Sequence, residues 1–478
     1  LRTWAPQQAT QEEDLTQSRK DAKNTNGPVS DSNRDTTCRT RSNPELDTSA
    51  PKLDSPFAAW RLGVRSSSPG VMPDEARPGE RARVSLTMIV RDEEGNLGNC
   101  LASVRGVFDE IIIVDTGSTD RTVEIARSFG ARVFEFAWVD SFSAARNEAL
   151  SHATGDYAFW LDADDVVEPD ERERLRALLQ QVVIGDNAGY VVRCACDPSP
   201  DGTGGETVVD HIRLFPLRDD VRWTYRVHEQ ILPALRKANV PVRWSDVTVR
   251  HTGYVDQALR ARKLERDITI LRLDLEDHPD DPFILFNLGA IAIERHQWDT
   301  ALSFLARSLD GSAPSDSIVR KLFALIARAH QMKGDSLAAL ETFARGLKLD
   351  PNDAELWFRK GVVHRYRGKS SEAERAWRRI LGLHRPNQFC SVDQGIYGHL
   401  TRRNLAALAA ERRNFAETER LWNEVLAECP GDHEALAKLE HVRMIQPPRN
   451  GAELSHRPNH GSFPVRKRRG VPQSDLMS

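Results

Sequence analysis

Glu110-Ile-Ile-Ile-Val-Asp115-Thr-Gly-Ser-Thr-Asp120 decides how this chain is read. Four apolar β-branched residues in a row suit a strand buried on both faces. Asp115 closes the run, Gly117 permits a sharp turn, and Ser118 or Thr119 can cap the helix that follows. In open sheets of alternating strands and helices, ligands collect at the carboxyl ends of the strands. A carboxylate at that point can accept hydrogen bonds from a ribose or a base. A capped helix after a buried strand would look the same, so this stretch needs support from its surroundings.

Working outward, the same alternation continues. Val84–Val90 reads as a strand and 94–104 as a helix with Leu97, Leu101 and Val104 on one face. A helix is predicted over 119–129, a strand over 132–137, a helix over 141–153, and a strand over 157–162 that runs into Asp162-Ala-Asp164-Asp165. A charged helix over 170–183 and shorter strands at 189–196, 211–217 and 247–253 complete the segment. Strand alternating with helix implies crossover units and a mostly parallel sheet. Three carboxylates in four residues repel one another, and hard divalent cations prefer such oxygen ligands. Mg²⁺ or Mn²⁺ bridging to a diphosphate is the natural occupant.

The rest of the 478 residues has a different texture. Residues 1–83 are polar and show neither strand nor helix periodicity, which predicts disorder. From 255 to 445 the pattern is helical, and small residues recur with a large apolar residue four positions on: Ala301 with Leu305, Ala339 with Phe343, Ala373 with Trp377, Thr418 with Trp422. The step from Ala339 to Ala373 is the ~34 residues of a tetratricopeptide (TPR) unit. Asn287-Leu-Gly289 and Gly361 match its small-residue position, and the other steps require longer connections. This resembles a TPR array, an all-α solenoid. The small residues let paired helices approach, and the large ones are expected to fill the gap between neighbouring units. Residues 446–478 read as a disordered tail containing the basic run Arg466-Lys-Arg-Arg469.

Lys and Arg total 66 against 70 Asp and Glu, a net charge of −4, which argues against a nucleic-acid binder. No run approaches the ~20 apolar residues of a membrane helix. Six irregularly spaced cysteines suggest a reducing compartment, hence a cytoplasmic protein, with peripheral attachment at the inner membrane face as the alternative.

Residues 84–254 resemble family 2 glycosyltransferases of the GT-A fold, an α/β Rossmann-like mixed sheet. The likeness rests on Ser85–Val90 followed by Arg91-Asp-Glu93-Glu94, on Ile113-Val-Asp115-Thr-Gly-Ser-Thr-Asp120, on Ala145-Arg146-Asn147-Glu-Ala149, on Ala153-Thr-Gly-Asp-Tyr157, and on Leu161-Asp162-Ala-Asp164-Asp165. Thr116 stands where many members carry a second Asp. The resemblance implies that Arg91, Glu93, Asp115, Arg146, Asn147 and Asp162 bind the nucleotide sugar, a UDP-linked one foremost. It implies that Asp162 and Asp164 bind the metal; beside that resemblance, His228 or His251 is a candidate to position the diphosphate or complete the metal shell, and His251 is the one taken as metal ligand. Arg213-Leu-Phe-Pro216, Trp223-Thr-Tyr-Arg-Val-His-Glu229 and His251-Thr-Gly-Tyr254 look like the acceptor half of bacterial members with C-terminal TPRs. Inverting transfer requires a base to deprotonate the acceptor. Glu229 is the candidate and Asp210 the reserve; Trp223 and Tyr225 serve either as a sugar platform or as core.

The acceptor implied is a protein, glycan or lipid-linked hydroxyl. The array would hold that acceptor, hold a partner protein, or mediate self-association. The rival reading is a TPR scaffold with an inactive transferase domain. A nucleotidyltransferase would want a Gly-rich basic loop where Arg91–Glu94 stands. Gly368-Lys-Ser370 lacks the first glycine of a P-loop, His228-Glu229 lacks the second zinc histidine, and Cys194-Ala-Cys196 lacks a second pair. Gly202-Thr-Gly204-Gly205 reads as a loop, a candidate lid.

Overall fold

The computed structural model describes residues 79–196, 206–252, 257–387, 389 and 391–445, and these fall into two compact units. Residues 1–78, the Gly202–Gly205 loop, Gly253-Tyr254 and the basic tail lie outside the described residues. Ahead of Val84, Gly79 and Ala82 donate backbone hydrogen bonds to the carbonyls of Ile184 and Val182, at 3.2 and 2.9 Å.

The first unit contains β1 (Val84–Val90), α1 (Leu97–Ser103), β2 (Glu110–Asp115), α2 (Thr122–Ser128), β3 (Arg132–Glu135), α3 (Phe142–His152), β4 (Tyr157–Trp160), β5 (Asp165–Val166) and α4 (Pro169–Gln181). It continues with β6 (Gly189–Cys196), β7 (Thr207–Pro216), α5 (Leu232–Lys237), β8 (Val242–His251) and α6 (Gln257–Asp277). The strands lie in the order β3-β2-β1-β4-β7-β6-β8-β5. The first four pair in parallel, β7 runs antiparallel to β4, β8 is parallel to β6, and β5 is antiparallel to β8. The expected mixed, mostly parallel sheet is therefore present.

Both faces of β2 are buried, as its unbroken apolar run requires. Ile113 packs into a cluster with Leu86, Met88, Leu101 and Phe159. Ile112 and Val114 point the other way, towards Ala149 of α3. Register brings Val90 beside Asp115, so the acidic end of β2 adjoins the loop that follows β1. That loop occupies residues 91–96, and α1 starts three residues later than its apolar pattern suggests. The two-residue β5 and the short α5 have no periodic signature and were not foreseen. α5 carries Pro233 in its first turn, and β5 exists through its pairing with β8.

The second unit is a run of helix pairs: α7 (Pro282–Glu294) with α8 (Trp298–Gly311), α9 (Val319–Met332) with α10 (Ser336–Leu349), α11 (Ala354–Tyr366) with α12 (Ser370–Ile380), and α13 (His399–Glu411) with α14 (Phe415–Glu428). α15 (His433–Ile445) follows. This is the TPR solenoid expected from the repeat spacing. The 34-residue step separates Ser336 from Ser370, and the longer steps fall where residues 312–318 and 381–398 lengthen the connections. One packing expectation changes. A Cβ on Gly289 would stand 2.6 Å from Leu305 Cγ, and one on Gly361 would stand 2.7 Å from Trp377 Cδ1. Leu305 and Trp377 therefore fill the gap inside their own helix pair, and Leu305 also belongs to a core cluster with Leu322 and Ile326 of the next pair. Among the described residues no helix is long and apolar enough to cross a membrane.

Candidate active site

Two loops are laced together at the carboxyl ends of β1 and β2. Asp92 adopts a left-handed conformation (φ +53°) and accepts from the Thr119 amide at 2.7 Å, while its own amide donates to Ser118 Oγ at 2.9 Å. The amides of Glu93 and Glu94 donate to Thr122 Oγ1 and Asp120 Oδ2, at 2.7 and 3.0 Å. Asp115 is buried and accepts from the amides of Gly117 and Ser118 and from Ser118 Oγ, the last at 2.5 Å. Gly117 turns the chain with φ +105°, a conformation that L side chains resist. Thr116, in place of the commoner Asp, is buried and bonds back to the Val90 carbonyl. Arg91 projects into solvent beside Asp92.

The second acidic stretch follows β4. Asp165 is fully buried and bound to Arg213 Nη1 at 2.6 Å; Arg213 is itself 1% exposed. The Asp162 amide donates to Asp165 at 2.9 Å, which fixes the turn. Pairing of β5 with β8 sets Asp165 opposite His251, whose Nδ1 lies 3.1 Å from Asp165 and 3.4 Å from Asp164. Ligand atoms of Asp162, Asp164, Asp165 and His251 all lie within 4.8 Å of one another. Glu93 feels the same charge: burial raises its pKa, Asn96 opposes this, and Asp164 and Asp162 add to it.

Burial pushes Asp164 up; His251 pulls it down, and Asp162 and Asp165 push it further up. Burial also acts on Asp165, but Arg213 and the His251 hydrogen bond hold it well below the usual carboxylate range. Burial alone would lower His251, yet Asp165 and Asp164 raise it to about 9. Carboxylate oxygens with one imidazole suit a divalent cation such as Mg²⁺ or Mn²⁺. Asp162 and Asp164 have the open oxygens; Asp165 is committed to Arg213 and holds the turn from behind.

Arg146 of α3 reaches the same place. It is 6% exposed, donates through Nη2 to Asp162 at 2.8 Å and through Nε to Glu229 at 2.5 Å. Desolvation opposes its charge, and Glu229 and Asp162 more than restore it. The indole of Trp160 lies 4.4 Å from the Arg146 guanidinium and 4.2 Å from that of Arg213, and Trp223 is 5.1 Å from Arg146. Trp223 is thus buried against a cation and against Trp160 and Phe215, as core rather than as an open sugar platform. Asn147 has a task other than lining a pocket: its amide donates to the Trp223 carbonyl at 3.0 Å and accepts from the Trp223 amide at 2.9 Å. Asp210 lies buried on β7, beside His211, whose pKa burial and Arg213 lower to about 4.

Residues 85–227, the stretch that carries these groups as far as Trp223, match the family described as Glycosyl transferase family 2. A TPR repeat-containing protein of Synechococcus elongatus is 34% identical over 312 residues, which cover 63% of this chain and 75% of that protein. This chain belongs to the family 2 glycosyltransferases. Among its relatives in the family is the SPbeta prophage-derived glycosyltransferase SunS of Bacillus subtilis, 26% identical over 231 residues, 48% of this chain and 53% of SunS. The match thus spans only about half the length of SunS. Among solved structures, the thermophilic TPR protein TTC0263 of Thermus thermophilus shares 16% identity over 40% of this chain and 95% of its own, with a TM-score of 0.31. The TPR reading of this glycosyltransferase rests on its own helix pairing.

The sequence pattern gives neither Arg213 nor Asp165 an individual role. Nothing local signals their pairing, because the two side chains are 48 residues apart and meet through the sheet. Trp160 and Trp223 were legible as large aromatics, but their stacking on guanidinium groups was not.

Proposed function

We propose that the first unit transfers a sugar from a nucleotide donor, UDP-linked, to an acceptor hydroxyl, with inversion at the anomeric carbon. The observation that carries this reading is the convergence of Asp162, Asp164 and His251 with the Arg146–Glu229 pair beyond the ends of parallel strands. Asp162, Asp164 and His251 would hold Mg²⁺ or Mn²⁺, which when bound neutralises the departing diphosphate. Asp115 and the laced loop, with Arg91 and Glu93 at its rim, would receive the nucleoside. Arg146 keeps Asp162 aimed at the donor and holds Glu229 beside it. Glu229 is the proposed base; it takes the acceptor proton while Arg146 holds it in place, and Asp210 is the reserve. The domain limits proposed are 84–254 for the transferase and 255–445 for the linker and array. The array is proposed to hold the acceptor or a partner protein.

The deciding experiment is a screen of nucleotide sugars by nucleotide release and by thermal shift, with and without Mn²⁺, on wild type and Asp164→Ala. Metal-dependent stabilisation by UDP is expected in wild type and absent in Asp164→Ala. If no nucleotide or nucleotide sugar stabilises wild type, the transferase reading fails and the scaffold reading gains. Glu229→Gln should keep the UDP shift and lose transfer; turnover at the wild-type rate in that variant removes Glu229 as the base.

A further inference from the structure

Glu229 sits in a short loop that does not hold its own shape. The backbones of Thr224 and Gln230 exchange two hydrogen bonds, both 3.0 Å, and close a tight excursion between them. Within it Tyr225 and His228 have φ +65° and +55°. Left-handed backbone at two non-glycine residues so close together costs energy that the surroundings must supply. The grips from outside can be named. Asn147 clamps both backbone groups of Trp223 at the entrance. The Phe142 amide, at the start of α3, donates to the Arg226 carbonyl at 2.7 Å. The third comes from α6: Asp274, 5% exposed, accepts from the Arg226 amide at 2.9 Å and lies 3.4 Å from the Arg226 guanidinium. Asp277, one turn on, takes the guanidinium at 2.8 Å in a more exposed pair.

α6 begins thirty residues beyond the segment that matches the family. We infer that Asp274 is a positioning residue for the transfer step: a buried carboxylate on α6 that holds the Tyr225–Glu229 loop in its strained shape and thereby keeps Glu229 against Arg146. This rests on the proposed role of Glu229 for its catalytic consequence, but not for its structural one. The geometry favours Asp274 over Asp277. An amide bonded to a buried carboxylate has no water to replace the partner it loses, whereas an exposed ion pair is exchanged for solvent at little cost. It also assigns the linker helix a part in the active site.

The test uses the full-length chain with Asp274→Ala, Asp277→Asn and Arg226→Ala. Hydrogen–deuterium exchange is followed on peptides spanning 221–231, and UDP with Mn²⁺ is the thermal-shift probe. Asp274→Ala, which takes the acceptor away from the Arg226 amide, should speed exchange of the loop amides by about tenfold or more, with β1 and β4 peptides unchanged. Asp277→Asn should change it by less than about twofold. Arg226→Ala, which leaves the amide to Asp274 in place, should fall between them. The UDP shift should persist in all three. With the donor and acceptor selected by the screen, Asp274→Ala should lower kcat by about tenfold or more while donor KM stays within about twofold. Combined with Glu229→Gln it should cost nothing further. Unchanged loop exchange in Asp274→Ala overturns the inference, as does a loss that multiplies with that of Glu229→Gln. If Glu229→Gln turns over normally, the base assignment falls; accelerated loop exchange then still upholds Asp274 as the grip on the loop.

Discussion

Replacing Arg213 by methionine removes one half of a salt bridge with almost no access to water. The guanidinium is 1% exposed and the Asp165 carboxylate 0%, 2.6 Å apart. Methionine fills much of the same volume and keeps contact with Trp160. What remains is a carboxylate with the Asp162 amide at 2.9 Å and, as its one remaining cationic neighbour, the His251 ring at 3.1 Å, which Asp164 shares. Breaking a buried pair from one side costs about 3–5 kcal/mol, because the stranded charge has no water to turn to. Asp165→Asn on its own strands Arg213 in the same way. The double variant Arg213→Met with Asp165→Asn leaves no charge behind, and its amide oxygen can still accept from Asp162. It should recover more than half of the single-variant loss, a coupling of about 2 kcal/mol or more. A chain of two units need not unfold in one step, so the assay is native-state hydrogen exchange on β1 and β4 amides against urea. A loss below about 1 kcal/mol in Arg213→Met, or a double variant no more stable than the single ones, would show that the pair does not hold this end of the sheet.

Two further predictions concern the helical array. Gly361→Ala should destabilise it although alanine is the better helix former by about 1 kcal/mol. The added methyl drives Trp377 off its seat and off its hydrogen bond to the Phe358 carbonyl, at about 1–3 kcal/mol for the overpacking and about 1 more for the bond. A raised urea midpoint for the array would contradict the packing described. Glu355 is buried on α11; burial would raise its pKa, but Lys321 and Arg359, at 2.8 and 2.7 Å, hold it at about 2. A depressed carboxylate contributes stability that is fully present above its ordinary value near 4.5 and is lost as pH falls towards 2. Glu355→Gln should therefore cost about 1.5–3 kcal/mol at pH 7, and the gap from wild type should shrink between pH 4.5 and 2 in circular-dichroism melts; a constant gap would refute the assignment.

Much of this architecture was legible because its signals are local. The unbroken apolar run of β2, the acidic residues at strand ends and the 34-residue step of the array each depend on neighbours in sequence. They were enough to place Asp115, Asp162 and Asp164 at strand ends of a mostly parallel sheet; Arg146 entered only through the family resemblance. Where a pattern is short, tertiary pairing decides. β5 has two residues and becomes a strand because β8 offers it an edge, and that register is what sets His251 against Asp165. The same applies to function within a motif. Asn147 and Arg146 are adjacent in sequence, yet one braces the Trp223 backbone and the other joins Asp162 to Glu229.

The amino-acid sequence alone thus determined the order of the longer elements, the family resemblance, and which carboxylates stand at strand ends. Periodicity and turn chemistry act over a few residues and survive any folding path. The tertiary structure decided which charges are partners. Arg213 with Asp165, Arg146 with Glu229, and Asp274 with the Arg226 amide lie 48, 83 and 48 residues apart. Electrostatic pairing depends on distance and burial in the folded chain, and neither is written in the spacing of residues along it.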